Sequence, residues 1–236
     1  RYEECDYVLC CFHDTVDFYS KNRTIKGYFF MFGFEATIND ILIKREQEYD
    51  FVFSGSVILG KNAHLQRFHY LAELAKKTKI GIWTPGFKDK WPLFRRDQLS
   101  RIKNFRWGEY MDVVRLSNSN RGPLFGLPMY QLLRDSKITF NKHIDVAGDS
   151  AVNIRLTEAT GVGSCLLTDW KKDLHNFFDI DREIVTYKSV DECVEKVKFL
   201  LENESERLKI AEAGQRRTLR DYTFGNSINR FAEYIL

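Results

Sequence analysis

No apolar run in this sequence approaches the roughly 18 residues that a transmembrane helix requires, and the opening residues lack the layout of a secretory signal. A bilayer-spanning protein is therefore not expected. An excess of one charge is missing too. Lys and Arg number 36 against 33 Asp and Glu, leaving +3 at pH 7 without the concentrated basic stripe of a nucleic-acid binder, so no nucleic-acid partner is expected. A pI near 8.5 still tolerates anionic ligands and a peripheral contact with an anionic membrane surface. The five cysteines, Cys5, Cys10, Cys11, Cys165 and Cys193, are odd in number and hold no zinc-like CxxC spacing, so neither a disulfide framework nor a metal site is expected. Free thiols suit a reducing cytoplasm, the expected location, at most at the inner face of the membrane. Internal repeats and low-complexity segments are absent from the pattern as well.

What is present is an ordinary globular composition, 44% hydrophobic and 29% charged, with material for one large or two small domains. Tyr7 to Cys11 is β-prone, Thr15 to Lys21 helical and Gly27 to Met31 strand-like. That is too little to bury a core alone, so residues 1–45 are expected to belong to a larger domain, with the chain opening on Arg1 as a fragment. A restart follows Lys44 to Asp50: a strand over Phe51 to Val57, a helical face from Ala63 to Ala75, and a strand over Lys79 to Trp83 ended by Pro85-Gly86. Phe87 to Arg121, with Phe87, Trp91 and Phe94, reads as loops with one helix. Pro128 opens a helix through Leu133, and Lys137 to Asn141 is a strand. Later come a short helix over Lys171 to Phe178, a strand over Glu183 to Tyr187, and helices over Val190 to Leu201, Glu204 to Leu219 and Phe224 to Leu236. In the second of these Leu208, Ala211 and Ala213 are expected inward. Strands alternating with helices predict an α/β fold, a Rossmann-like parallel sheet flanked by helices, with ligands at the C-terminal edge of the strands.

The densest stretch is Ala151 to Asp169, AVNIRLTEATGVGSCLLTD. Val152, Leu156 and Ala159 make one apolar helical face while Asn153, Arg155 and Glu158 project elsewhere. Asp149 or Ser150 is expected as the N-cap, Gly161-Val-Gly163 as the stop, and Ser164 to Thr168 as a buried strand. A carboxylate such as Glu158 can accept hydrogen bonds from two neighbouring ribose hydroxyls, and a guanidinium such as Arg155 can fork onto a phosphate. The helix N-terminus can add amides without any metal. Arg155 can equally pair with Asp149 or Glu158 as an ion pair on a solvated face. His143 stands where doubly wound folds expose functional groups, or is a hydrogen-bonded histidine at a strand end. Arg67 and Lys61 are phosphate contacts or helix surface, and Gly55-Ser56 fits a tight strand-to-helix turn. His13 and Asp14 contact an acceptor or pack.

Taken in order, Gly55-Ser56, Arg67, Gly126 with Met129-Tyr130, Ser136-Lys137-Ile138 with Asn141 and His143, Asn153-Ile-Arg155 with Glu158-Ala159, and Gly161-Val-Gly163 resemble the motif series of bacterial GT-B glycosyltransferases of the family 1/CgeB-like group. The tail AEAGQRRTLRDYTF resembles that family's closing helices. The resemblance implies two Rossmann-like domains with a nucleotide-sugar held mainly by the C-terminal one. Residues 1–45 are then the end of the N-terminal domain and a linker, 46–221 the C-terminal nucleotide-sugar-binding domain, and 222–236 a terminal helix packing back toward the N-terminal part. The implied activity is metal-independent transfer of a hexosyl or related group from a nucleotide-diphosphate donor to a glycan, a lipid-linked acceptor or another hydroxyl, in bacterial surface-polysaccharide assembly. Gly55, Ser56, Arg67, Asn141, Asn153, Glu158 and Gly161 are the implied donor contacts, with His143 and Arg155 at the reacting centre. One departure is visible: the wider retaining pattern has two glutamates eight positions apart, and Ser150 stands where the first would be, beside Asp149. A sugar-nucleotide epimerase on the same scaffold and a non-catalytic nucleotide-binding module are the rival readings.

Overall fold

Two parallel sheets organise the chain, described in a computed structural model over residues 5–21, 25–57, 64–85 and 107–235. Lys61, Phe87, Trp91 and Phe94 lie outside these residues. The smaller sheet pairs β1 (Tyr7–Cys10) with β2 (Lys26–Phe29) across the helix α1 (His13–Ser20), a single βαβ unit. A linker with one helical turn, α2 (Ile38–Ile41), leads to the larger sheet. Its strands are β3 (Tyr49–Ser54), β4 (Gly81–Trp83), β5 (Ser136–Asn141), β6 (Cys165–Asp169) and β7 (Val185–Tyr187), in the spatial order β4-β3-β5-β6-β7. The parallel Rossmann-like sheet expected from the sequence is what the chain forms.

Those strands are buried on both faces, as parallel strands must be. In β3, Phe51 and Phe53 join one cluster with Phe140, Leu71 and Val197, while Val52 between them packs with Trp83 and Leu132 on the other side. In β6, Cys165 and Leu167 enter the first cluster and Leu166 meets Leu156 and Ala159. The helices α3 (Leu65–Lys77), α4 (Trp107–Ser119) and α7 (Val190–Glu202) cover the first face. The second is covered by α5 (Leu127–Arg134), α6 (Arg155–Gly161) and α8 (Glu204–Asp221). Each fully buried Leu, Ile or Phe contributes roughly 1.5–3 kcal/mol relative to exposure, so this two-sided alternation supplies the fold's main driving force.

The strand order decides where a ligand can sit. The chain passes from β3 outward to β4 on one side, then returns to β5 on the other, so connections leave β3 and β5 in opposite directions. A crevice opens between their C-terminal ends, the switch point at which doubly wound sheets bind ligands.

Several expected boundaries move, each for a local reason. The helix expected from Ala151 begins at Arg155. Asp149 does not cap it; its carbonyl accepts the Lys172 amide at 3.1 Å, and the Ala151 amide is taken by Asp173 Oδ1 at 2.7 Å. Asn153 starts the helix instead, its Oδ1 accepting the Arg155 amide at 3.0 Å. The helix ends at Gly161, and Gly163 takes the left-handed conformation at φ 86°, which a side chain would strain. With the Asp173 carboxylate pulled toward Ala151, the helix expected over Lys171 to Phe178 shrinks to one 3-10 turn at Leu174–Asn176. On α8 the inward residues are Arg207, Ile210, Ala211, Gly214 and Thr218, while Leu208 is 40% exposed. Arg207 sets that rotation: it is buried and donates to the Leu200 carbonyl at the end of α7.

The last helix, α9 (Phe224–Ile235), follows a backbone pairing in which Phe34 donates to the Tyr222 carbonyl and Phe224 donates to the Phe34 carbonyl. The Phe29 and Phe177 rings stack at 5.7 Å, setting the small sheet against the larger part of the chain. No helix among the described residues is long and apolar enough to cross a membrane.

Candidate functional site

A cavity of about 490 Å³ occupies the crevice outside β3 and β5. Ser54, Gly55 and Ser56 leave β3 along one wall, and Asn141 and Ile144 leave β5 along another. The segment Val152 to Arg155 closes a third side, and Trp83, Leu124, Phe125 and Met129 form an apolar end.

Arg67 reaches this cavity from α3 and is itself only 6% exposed. Its Nη1 donates to the Ser56 carbonyl at 2.9 Å, and its Nε and Nη2 donate to the Lys142 carbonyl at 3.0 and 2.6 Å. One side chain thus pins the ends of β3 and β5 together. Burial pushes its pKa down, while the more distant Asp169 pulls it up, and a guanidinium remains charged throughout. No carboxylate forms a direct ion pair with it among the described residues, Asp169 and Asp145 acting only at longer range, so a buried cation on the cavity wall is incompletely neutralised. That arrangement favours an anionic ligand.

Arg155 supplies the second cation. Its Nη2 donates to the Ser54 carbonyl at 2.9 Å, and its Nη1 lies 2.9 Å from Glu158 Oε2 and 3.0 Å from Met129 Sδ. The ion pair considered in the sequence exists, but not on a solvated face: the two side chains are 11% and 9% exposed, because α5 and α8 pack on α6. Burial pushes the Arg155 pKa down and Glu158 pushes it back up. Asn153 completes the wall, its Nδ2 donating to Asn141 Oδ1 at 2.7 Å, while Asn141 Nδ2 donates to Thr168 Oγ1 at 2.9 Å.

Residues 46–233 match the family described as glycosyl transferase-like. This chain belongs to that glycosyl transferase-like family. No curated protein sequence matches it. Among solved structures, Anabaena HepE in complex with UDP-glucose superposes with a TM-score of 0.70 at 11% identity, over 98% of this chain and 63% of that one. A glycosyltransferase from Rickettsia africae gives 0.64 at 13% identity, over 99% and 64%. Sucrose-phosphate synthase from Thermosynechococcus elongatus gives 0.62 at 10%, over 98% and 58%. These neighbours are GT-B glycosyltransferases, and at such identities the likeness shows a common fold. The chain spans about three fifths of the length of these structures, between 58% and 64%.

In this glycosyl transferase-like chain, six of the residues singled out in the sequence, Gly55, Ser56, Arg67, Asn141, Asn153 and Arg155, line one cavity. Three do not. Gly161 lies inside α6, where a Cβ would come within 2.5 Å of the Phe34 ring; close packing, not a ligand, requires glycine there. Glu158 sits behind Arg155, with Oε1 accepting the Tyr130 hydroxyl at 3.1 Å. His143 is 1% exposed, and its Nδ1 and backbone amide both meet Asp169 Oδ1. Burial would raise the Asp169 pKa, but the His143 hydrogen bonds and charge, with Lys142 beside it, hold it down to about 2. The helix N-terminus expected to offer amides to a ligand has its Arg155 amide already satisfied by Asn153. His13 faces Asp173, at 3.9 Å, and Asp149 is exposed.

Sequence reasoning did not single out His64, whose ring Nδ1 donates to the Ser56 carbonyl at 2.9 Å, nor the apolar end at Phe125. Register brings Asp169 to His143: Asn141 pairs with Thr168, which places the residues just beyond β5 beside Asp169. Among the described residues, no group of three or more His, Cys, Asp or Glu could hold a metal ion. Cys165 and Cys193 are buried free thiols whose pKa values burial raises, far from nucleophilic use.

Proposed function

We propose that this chain carries the donor-binding half of a GT-B glycosyltransferase and serves transfer of a glycosyl group from a nucleotide-diphosphate donor to a hydroxyl acceptor. The observation that carries the reading is Arg67, a buried cation without a direct carboxylate partner, set across the switch-point cavity from Arg155. In transfer, the bond between the anomeric carbon and the donor phosphate breaks with its electron pair on the diphosphate. The acceptor oxygen takes the carbon and releases its proton. Negative charge therefore develops on the departing diphosphate, and fixed guanidiniums that need no reorganisation stabilise it most. Two arginines take the place a divalent metal would otherwise fill.

The remaining roles follow from position. The Gly55-Ser56 turn lets the backbone approach the phosphates, Asn141 and Asn153 contact the donor, and Trp83 with Phe125 bound the end for the base. Glu158 holds Arg155 from behind, its Oε2 lying 2.9 Å from Arg155 Nη1. His143 and Asp169 brace the loop after β5 rather than touch the donor. UDP-type donors are the first to try, because Anabaena HepE was solved with UDP-glucose and Staphylococcus aureus TarM with UDP. A glycan or lipid-linked acceptor in bacterial surface-polysaccharide assembly suits the family's chemistry, as does a cytoplasmic setting facing the membrane.

A thermal-shift panel of UDP, GDP, ADP, CDP and UDP-glucose tests the reading. A ligand at a hundredfold its dissociation constant stabilises by about 2.7 kcal/mol, several degrees for a chain of this size. Stabilisation by one diphosphate is expected; none with any of the five overturns the reading.

A further inference from the structure

The apolar end of the cavity is built from two stretches far apart in sequence. Trp83 and Pro85 come from the end of β4, and Pro123, Leu124 and Phe125 from the segment after α4. β4 is the outermost strand of the larger sheet, so one of its edges faces away from β3. Ile82 on that edge pairs in parallel with Asn120, and beyond it the edge is completed by a side chain. Asn120 Oδ1 accepts the Thr84 amide at 3.1 Å, and Asn120 Nδ2 donates to the Thr84 carbonyl at 3.1 Å. A primary amide carries an acceptor and donors together, as a backbone peptide group does, so Asn120 acts as one more residue of a neighbouring strand.

The same Oδ1 accepts the Gly122 amide at 3.0 Å, and the Arg121 amide donates to the Ile82 carbonyl at 2.8 Å. Gly122 stands at φ 88°, a conformation that glycine adopts without strain, and it turns the chain into the Pro123 to Phe125 segment. On the other side of β4, the Gly55 amide donates to the Trp83 carbonyl at 3.1 Å, and Thr84 Oγ1 accepts the Val57 amide at 3.1 Å. Thr84 is fully buried, so its amide and carbonyl find no water in place of Asn120. One side-chain amide therefore ties together the two stretches that form the apolar end.

We propose that Asn120 is a positioning residue for the nucleoside half of the donor, holding the end of β4 and the Pro123 to Phe125 segment at the spacing that receives a flat base. The inference rests on the donor-site reading above. The phosphate half is held independently, since Arg67 and Arg155 are fixed by the carbonyls of Ser54, Ser56 and Lys142. Loss of the Asn120 amide therefore loosens the base and leaves the diphosphate in place.

Titration calorimetry of pyrophosphate and of UDP, GDP, ADP and CDP tests this on the wild-type chain and on Asn120→Asp, which matches asparagine in size but, when ionised, cannot donate to the Thr84 carbonyl. In the wild type, the best nucleoside diphosphate is expected to bind about tenfold or more tighter than pyrophosphate, the scale of one base stacked on an aromatic side chain. In Asn120→Asp that margin is expected to fall to about threefold or less, with pyrophosphate affinity within about twofold of wild type. An unchanged margin in the variant overturns the role of Asn120 and leaves the donor site standing. Equal weakening of the nucleotide and pyrophosphate overturns it too, since that is what mere support of the fold would give. Hydrogen exchange on the wild type needs no variant: the best nucleotide is expected to slow exchange at Thr84, Arg121 and Gly122 more than pyrophosphate does, and equal slowing by both overturns the proposal. No binding by pyrophosphate or by any of the four nucleotides overturns the donor-site reading itself.

Discussion

The backbone amide and the Nδ1 of His143 both meet one oxygen, Oδ1 of Asp169, at 2.8 and 2.7 Å. That single carboxylate joins the exit of β5 to the exit of β6. Lys142 and Lys171 approach its other oxygen at 3.6 and 3.7 Å, so a buried negative charge is ringed by donors. The loop that carries Ile144 toward the cavity is held by this group and by the Ala151–Asp173 bond.

An acid-dependent stability follows. Asp169 is held at about 2 against 3.8 for an unperturbed aspartate, so folding favours its ionised form. A depressed carboxylate contributes stability that is complete above about pH 4 and is lost as pH falls toward 2; the shift corresponds to about 2 kcal/mol. Urea denaturation between pH 2.5 and 7 is expected to show this loss, and Asp169→Asn is expected to flatten it. A variant with the wild-type acid limb would contradict the assignment.

Asn153 performs two jobs that substitutions separate. Its Oδ1 caps α6 and its Nδ2 bonds Asn141. Asn153→Ala loses both and is expected to cost about 1 kcal/mol of stability. Asn153→Asp keeps a capping oxygen but places a negative charge on the cavity wall. The bond to Asn141 is lost in both variants, so in melting curves Asn153→Asp is expected to keep only the stability of the cap relative to Asn153→Ala, while its affinity for UDP falls about tenfold or more, from like-charge repulsion in a partly desolvated site.

Gly161 distinguishes packing from binding. A Cβ there meets the Phe34 ring at 2.5 Å, so Gly161→Ala is expected to destabilise by about 1–3 kcal/mol through overpacking. Shrinking the ring in Gly161→Ala/Phe34→Leu should restore part of that loss. Non-additivity in the thermal denaturation of the two single variants and the double variant is the readout.

Much of this was legible in the chain because its signals are local. Phe51, Val52 and Phe53 make a continuous apolar run that only a doubly covered strand can bury, and Pro128 marks a helix start wherever it falls. That Gly55, Arg67, Asn141 and Arg155 line one cavity was readable because they lie at, or in the segments that follow, the ends of β3 and β5, which a parallel sheet gathers at one edge. What failed was decided at long range. Asp173 takes the Ala151 amide from 22 residues away and delays the helix to Arg155. Gly161 looks like a hinge for a ligand until Phe34, from the linker, is packed against it. Of the two readings of His143, a group exposed at the site and a hydrogen-bonded histidine at a strand end, the distant Asp169 decides for the second. No spacing rule encodes those contacts, since each depends on which helix covers which strand.

On the proposed function, Arg67, without a direct carboxylate partner, meets a diphosphate at the β3/β5 crevice. The most direct measurement is calorimetric titration of UDP and uridine into the wild-type chain and Arg67→Met, which keeps the aliphatic bulk. UDP is expected to bind about a hundredfold tighter than uridine to the wild type, and Arg67→Met is expected to remove most of that margin while leaving uridine binding nearly unchanged, because the lost contact is charge-assisted. Equal affinity for UDP and uridine in the wild type, or a margin that survives in Arg67→Met, would contradict it.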